Sequence, residues 1–182
     1  MGPTILIGIA AAIFAFLVVG TIWSNLIEQS MSGIVAMAAA GFVFKYFWDK
    51  DKKELAALLN PPDQVWPVSY PIAWGCIIDV LKRSGVETGM SGRSIWQVIQ
   101  EDDSRGFIQA KLVFNQLLGA GEHKTTVPRE IYLVVQLAAE QASTRLHFEY
   151  QMLSPSGAGV ARELIKKNQD DFRTYMESNR IQ

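Results

Sequence analysis

The sequence predicts a membrane-anchored α+β protein, in which an N-terminal hairpin of two transmembrane helices precedes a water-soluble domain. Residues 4–48 hold almost no charge, whereas residues 49–182 carry nearly all of the charged side chains. Apolar residues recur with a period of two in the second part, which is typical of strands, and with helical spacing near its two ends. We therefore divide the chain into a transmembrane hairpin (1–48), a helical extension and linker (49–64) and an α+β domain (65–182).

Two apolar stretches predict the hairpin. Residues 4–23 contain no charged side chain, and a helix of this length spans about 30 Å, the thickness of a bilayer core. Residues 30–48 contain a single charge, Lys45, close enough to the end for its stem to reach the headgroups. The short connection 24–29 requires the two helices to be antiparallel neighbours.

The residues that flank the second helix predict the topology. Lysines cluster at positions 45, 50, 52 and 53, whereas 24–29 contains neither Lys nor Arg. The positive-inside rule then places both termini of this two-span integral membrane protein on the cytoplasmic side. Aromatic and basic side chains near the helix ends are expected to anchor the protein at the membrane interface; they are Trp23, Lys45, Tyr46 and Trp48.

Small residues on both helices predict close helix packing, because they let backbones approach one another. These residues are Gly8, Ala12, Gly33, Ala36, Ala40 and Gly41. Two interpretations remain open: the small-residue faces pack the hairpin against itself, or a surplus face docks on another subunit.

The α+β domain is expected to contain two helices and an antiparallel sheet of at least four strands. A helical extension from Asp49 ends at Leu59, before the segment 60–62 that contains two prolines. A short strand covers 65–70, and Pro71 opens a helix to residue 84. A glycine-rich loop follows at 85–93. Alternating apolar residues then predict two antiparallel hairpins and a closing helix, with strands over 95–100, 107–115, 129–137 and 144–153 and a helix over 160–178.

This order of strand, proline-led helix, meander and long C-terminal helix resembles a helix-grip fold, although the chain is one or two strands short of it. The resemblance implies a curved sheet that wraps a long helix around a pocket. The second face of the sheet is less polar than a solvated face should be, which suggests a partner surface, contact with the membrane plane or the lining of a cavity. The residues that alternate onto it are Trp96, Phe107, Val113, Tyr132 and Val134.

Composition and motifs exclude several classes of function. The net charge is −1 and no basic run is interleaved with aromatic residues, so nucleic-acid binding is not expected. No phosphate-loop, dinucleotide-binding or nucleophile-elbow motif occurs. The lone Cys76 lies on an apolar helical stripe and is expected to be a buried hydrophobe. His147 alternates outward beside Arg145 and Glu149, as a solvated surface histidine does. We predict no catalytic, cofactor-binding or metal-binding residues.

These observations favour a non-catalytic subunit or accessory component of a larger membrane protein complex, with a cytoplasmic docking domain. Its expected partners are membrane lipids and other membrane protein subunits, or a second copy of itself. The alternative is a tethered domain that binds a lipid or another apolar small molecule between the sheet and the C-terminal helix. That alternative requires a pocket of several hundred cubic ångströms, lined by residues such as Trp96 and Tyr132.

Overall fold

The structure is a computed structural model that describes residues 3–24, 29–87, 93–118, 125–153 and 158–179. The chain divides into two units, Met1–Ala56 and Ala57–Gln182.

The first unit contains helix α1 (Pro3–Ser24) and most of helix α2 (Gln29–Leu59). The two helices approach closely at Gly8, where an added Cβ would lie 2.6 Å from the Cβ of Phe47. At the other end of α1, an added Cβ on Gly20 would lie 3.8 Å from that of Ala36, which is fully buried. The helices therefore pack antiparallel. The predicted helical extension to Leu59 is part of α2, which ends just before Asn60 and Pro61, because proline disfavours a helical residue before it.

The predicted transmembrane hairpin of 4–23 and 30–48 is wrong. Among the residues that the structure describes, no helix is both long and apolar enough to cross a membrane. The membrane-anchored fold class and the two-span localisation with cytoplasmic termini rested on this hairpin and are corrected with it.

The second unit is an α+β domain, which confirms the predicted class of this part of the chain. Its main sheet has five strands in the order β1-β7-β6-β5-β4, all antiparallel, and a separate pair is formed by β2 and β3. The elements are β1 (Gln64–Trp66), α3 (Tyr70–Arg83), β2 (Gly85–Glu87), β3 (Arg93–Ile95), β4 (Gln97–Asp102), β5 (Phe107–Leu118), β6 (Thr125–Glu140), β7 (Ser143–Met152) and α4 (Ala158–Ser178).

Two predicted strands have different bounds in the structure. The strand expected over 65–70 stops at Trp66, because α3 begins at Tyr70, directly after the N-cap residue Ser69, and Pro71 presets its first turn. The strand expected over 95–100 is interrupted at Trp96, which belongs to neither β3 nor β4. Val98 pairs with the core residue Ala110 and faces inward, and Trp96, two residues earlier, lies on the same side. The alternation of faces shifts instead at the register irregularity between Val98 and Gln100. Trp96 therefore turns inward, is only 4% exposed, and corrects the prediction that it lies on the second face.

Helices α3 and α4 both cover one face of the sheet, which we call the inner face. Side chains of β5, β6 and β7 alternate onto this face and form the core with the buried stripes of the two helices. Phe148 of β7 packs against Phe172 of α4 with ring centroids 5.2 Å apart. Cys76 of α3 is buried in the same core, as the sequence predicts, and burial raises the pKa of its thiol.

A tight turn at Gly106 joins β4 to β5 after the single 3₁₀ turn Asp103–Arg105. Gly106 has a φ of +62°, and its carbonyl oxygen accepts a hydrogen bond of 2.7 Å from the backbone N–H of Leu137. An added Cβ would lie only 2.0 Å from the carbonyl oxygen of Leu137. Only glycine tolerates both the positive φ and this approach between two backbones.

We expect Gly106→Ala to lower the free energy of unfolding of the domain by about 2 kcal/mol or more, because strain in the left-handed region adds to a backbone clash. Gly75→Ala is the matched control, since Gly75 is exposed on α3 and an added Cβ meets nothing within 4 Å. The control should gain about 0.5–1 kcal/mol. Urea denaturation followed by fluorescence measures both, and equal stabilities for the two variants would contradict this account of the turn.

Candidate functional site

The sheet face opposite α3 and α4 carries the candidate site, and we call it the outer face. Cross-strand pairing aligns one side chain per strand at the end of the sheet where the turn joins β4 to β5. Phe107 pairs with Asp102 on one side and with Gln136 on the other, and Gln136 pairs with His147. Asp63, just before β1, continues the row beside His147. Residues far apart in sequence thus form one continuous line across the sheet.

A groove with a volume of about 820 Å³ lies over this row, and we call it the outer groove. Its outward-facing apolar side chains are those of Phe107 and Ala138. Leu137 also borders the groove, but its side chain belongs to the core, and the rest of the lining is polar or charged. The complete lining is Asp63, Gln100, Asp102, Arg105, Phe107, Gln136, Leu137, Ala138, Arg145 and His147.

Charges around the outer groove are paired with one another. Nδ1 of His147 lies 2.8 Å from Oδ1 of Asp63, within hydrogen-bond distance. Nε of Arg105 lies 3.4 Å from Oδ2 of Asp102, and Arg145 pairs with Glu140 at the end of β6.

His147 is therefore a half-exposed side chain with a fixed carboxylate neighbour, which is more than the solvated surface histidine that the sequence indicates. An imidazole held by a carboxylate is suited to hydrogen bonding or proton transfer. Within the described residues, no group of three or more His, Cys, Asp or Glu side chains is arranged to hold a metal ion.

The turn between β4 and β5 forms one wall of the outer groove and is fixed by several hydrogen bonds. Oδ1 of Asp102 accepts bonds from the Ser104 hydroxyl at 2.6 Å and from the Arg105 backbone N–H at 3.2 Å. The Ser104 bond is the largest cause of the lowered pKa of Asp102. On the other side, the Tyr70 hydroxyl donates to the carbonyl oxygen of Asp103 at 2.7 Å. Burial and then the neighbouring Asp103 raise the pKa of Tyr70 to about 12.

A second polar cluster lies on the outer face at a distance from the groove. Nζ of Lys111 lies 3.1 Å from Oε1 of Glu130, and the Tyr132 hydroxyl donates to Oε2 of Glu130 at 2.8 Å. The Tyr132 bond, followed by that of Lys111, lowers the pKa of Glu130. The same bonds to Glu130 raise the pKa values of Lys111 and Tyr132. This cluster holds the Tyr132 ring against the sheet.

Four of the five residues predicted for the second face share the outer face of the sheet. Phe107, Val113, Tyr132 and Val134 are half-buried there. Of these, only Phe107 lines the outer groove. Trp96 lies on the inner face, where its ring meets that of Tyr150 edge-on at a centroid distance of 6.5 Å.

Predicted helix-packing residues differ in their surroundings. Gly8 and Ala36 are buried and Ala12 and Ala40 are half-buried, whereas Gly41 is exposed and an added Cβ there would meet nothing within 4 Å. The predicted interface anchors Lys45, Tyr46 and Trp48 are exposed, and Gly33 and Trp23 lie outside the residues whose surroundings the structure describes.

Among the described residues, large side chains pack closely between the sheet and α4. Tyr150 and Asn168 are each only 2% exposed. The Tyr150 hydroxyl donates a hydrogen bond to Oδ1 of Asn168 at 3.0 Å. Burial strongly raises the pKa of Tyr150. The cavity beside Asn168 measures about 10 Å³, about the volume of one water molecule and far below that of a ligand pocket. Trp96 and Tyr132 lie on opposite faces and do not line a common pocket.

Sequence reasoning missed Asp63, Gln136 and Ala138 of the outer groove. Asp63 lies 84 residues before His147, and only the pairing of β1 with β7 brings them together. Gln136 and Ala138 alternate onto the same face as Tyr132 and Val134. Their period-two spacing is a signal that could have extended the predicted face to this end of β6.

No family model and no curated protein matches the chain. Among solved structures, it is similar to the crystal structure of TTHA0849, a protein from Thermus thermophilus. That similarity has 11% sequence identity and a TM-score of 0.30, and it covers 66% of this chain and 94% of the other.

Tyr70 provides a test of how the groove wall is held. Because its pKa is raised, the stability that its protonated hydroxyl contributes is complete below pH 10 and is lost as the pH rises towards about 12. Tyr70→Phe should remove one late-ionising tyrosine from the tyrosinate absorbance titration and flatten the fall in stability over this pH range. Loss of a tyrosine that ionises at its ordinary pKa would instead show that the contact with Asp103 is absent.

Proposed function

We propose that residues 57–182 form a non-catalytic docking domain of a protein complex, which binds a partner protein through the outer groove and the surrounding outer face. The observation that carries this proposal is the outer groove itself. It lies on the sheet face away from both helices and combines apolar side chains with charges that are already paired.

Paired charges make this surface suitable for burial under another protein. An isolated charge is costly to remove from water, whereas a charge that retains its hydrogen-bonded partner is less so. Asp63 with His147, Asp102 with Arg105 and Glu140 with Arg145 give the groove such a rim. Protein interfaces typically combine an apolar centre with a polar rim of this kind.

The fixed groove wall further supports docking. Binding normally costs conformational entropy when loops and side chains become ordered. The turn at 102–106 is held by hydrogen bonds to Asp102, Asp103 and Gly106 before any partner arrives. Binding of a partner therefore does not have to order this turn, which lowers the entropic cost of binding.

A second candidate function is the binding of an apolar small molecule in the same groove. The volume of about 820 Å³ favours it, since ligand pockets typically measure about 300–1,000 Å³. Such pockets are lined mostly by apolar side chains. The groove offers the apolar side chains of Phe107 and Ala138 among a majority of polar and charged residues, so a partner protein is the better match.

A photo-crosslinking residue at Gln136, which is exposed and lines the outer groove, identifies what the groove binds in the native cell. We expect it to capture one discrete protein from the full chain. Native mass spectrometry of the isolated chain tests the second candidate in parallel. A bound small molecule, without any captured protein, would replace the docking proposal with the second candidate.

Binding of the captured and purified partner then tests the surface. We expect Ala138→Arg to weaken its affinity at least about tenfold, because a bulky cation would occupy the groove. Ala139→Arg is the matched control, because Ala139 is also exposed but its side chain points to the other side of β6. It should change the affinity less than about twofold. Equal losses in the two variants, measured by calorimetry, would place the contact elsewhere.

A further inference from the structure

β4 is an edge strand of the five-stranded sheet, and its sheet partner is β5. About half of the backbone N–H and C=O groups of an edge strand point away from its single neighbour and remain available for another strand. The edge is therefore a site at which a further strand can add to the sheet.

A groove of about 350 Å³ runs between this edge and α3. Its apolar lining is Ile78, Val98 and Ile99, and Ile99 is 53% exposed. Lys82 and Glu101 supply opposite charges along the same groove. An added strand would thus find backbone partners, apolar contacts and two charges together.

The two charges lie at opposite ends of β4, because α3 runs antiparallel to it. Tyr70 at the start of α3 bonds to Asp103 at the end of β4, whereas Gly85, just after α3, pairs with Ile95 before β4 begins. Lys82 therefore lies near the beginning of β4 and Glu101 near its end. Within the described part of the chain, neither side chain has an ion-pair partner.

We propose that a second copy of this chain adds its β4 antiparallel to the β4 of the first, so that the two sheets become continuous. A two-fold axis between Ile99 and Gln100, the middle of the strand, brings Glu101 of the second copy opposite Val98 and beside Lys82 of the first. The same pair forms again on the other side of the axis, because a two-fold interface repeats every contact. The asymmetric charge placement thus becomes self-complementary.

Self-pairing also separates the acidic ends of the two strands. Glu101 and Asp102 of one copy lie at one end of the shared ladder, and those of the second copy lie at the other. A parallel arrangement would instead bring these carboxylates together, which is unfavourable.

The register shift between Val98 and Gln100 limits how much regular ladder can form. The dimer should therefore dissociate on dilution, as small interfaces commonly do. The edge shares Gln100 with the lining of the outer groove, but the pairing uses the backbone of β4 and does not rest on the docking function.

Cysteine crosslinking in the full chain tests the contact. Gln100→Cys and Ile99→Cys, the two positions nearest the axis, are each oxidised mildly, with Gln151→Cys on the outer face as an equally exposed control. We expect a disulfide-linked dimer from at least one edge variant and none from the control. No crosslink from either edge variant, or equal crosslinking from the control, would overturn the proposal. Association through another part of the chain does not produce this pattern.

Charge exchange gives an independent readout. Glu101→Lys or Lys82→Glu, each in the Gln100→Cys background, should lower the crosslinked fraction about fivefold, because each reversal makes both symmetric pairs repulsive. The double exchange Lys82→Glu with Glu101→Lys should restore it. High salt should weaken both effects. The proposed pairing is wrong if the single variants crosslink as much as Gln100→Cys alone, or if the double exchange does not restore the crosslinked fraction.

Discussion

The approach of Gly106 to Leu137 is the contact on which the candidate site depends. It extends the pairing of β5 with β6 by one residue into the turn, through a hydrogen bond of 2.7 Å between the backbones of Gly106 and Leu137. The turn at 102–106 is consequently held against the sheet, where it forms the wall of the outer groove and orients Asp102 and Arg105. The same turn ends the edge strand, so it also determines which residues of β4 remain available for pairing.

Strand register then decides what each face of the sheet can do. On the inner face, large side chains from β7 and α4 meet closely, as Phe148 does with Phe172, and leave a cavity of only about 10 Å³ beside Asn168. On the outer face, the row from Asp102 to His147 lies away from the helices, and a groove of about 820 Å³ remains. Within the described residues, the outer groove is therefore much larger than the cavity between the sheet and the C-terminal helix.

Local patterns predicted the strands of this domain well, because half-buried strands alternate with a period of two. β5, β6 and β7 follow that pattern over long stretches. Trp96 was assigned to the wrong face because the register of β4 shifts between Val98 and Gln100, and the period-two pattern does not reveal that shift. The contact of Asp63 with His147 was not predicted for another reason. It depends on the pairing of β1 with β7, and no local pattern specifies which distant strands pair.

The two proposed surfaces have a combined consequence. Antiparallel strands in a continuous sheet are related by an axis perpendicular to that sheet, so pairing of β4 with its copy keeps the two outer faces on the same side. A dimer formed at the edge would thus present two outer grooves in one direction. A partner with two matching sites would then bind more tightly than each groove alone permits, because the second contact becomes intramolecular. A weak edge contact and a moderate groove affinity would then reinforce each other, since a partner that spans both grooves also holds the two copies together.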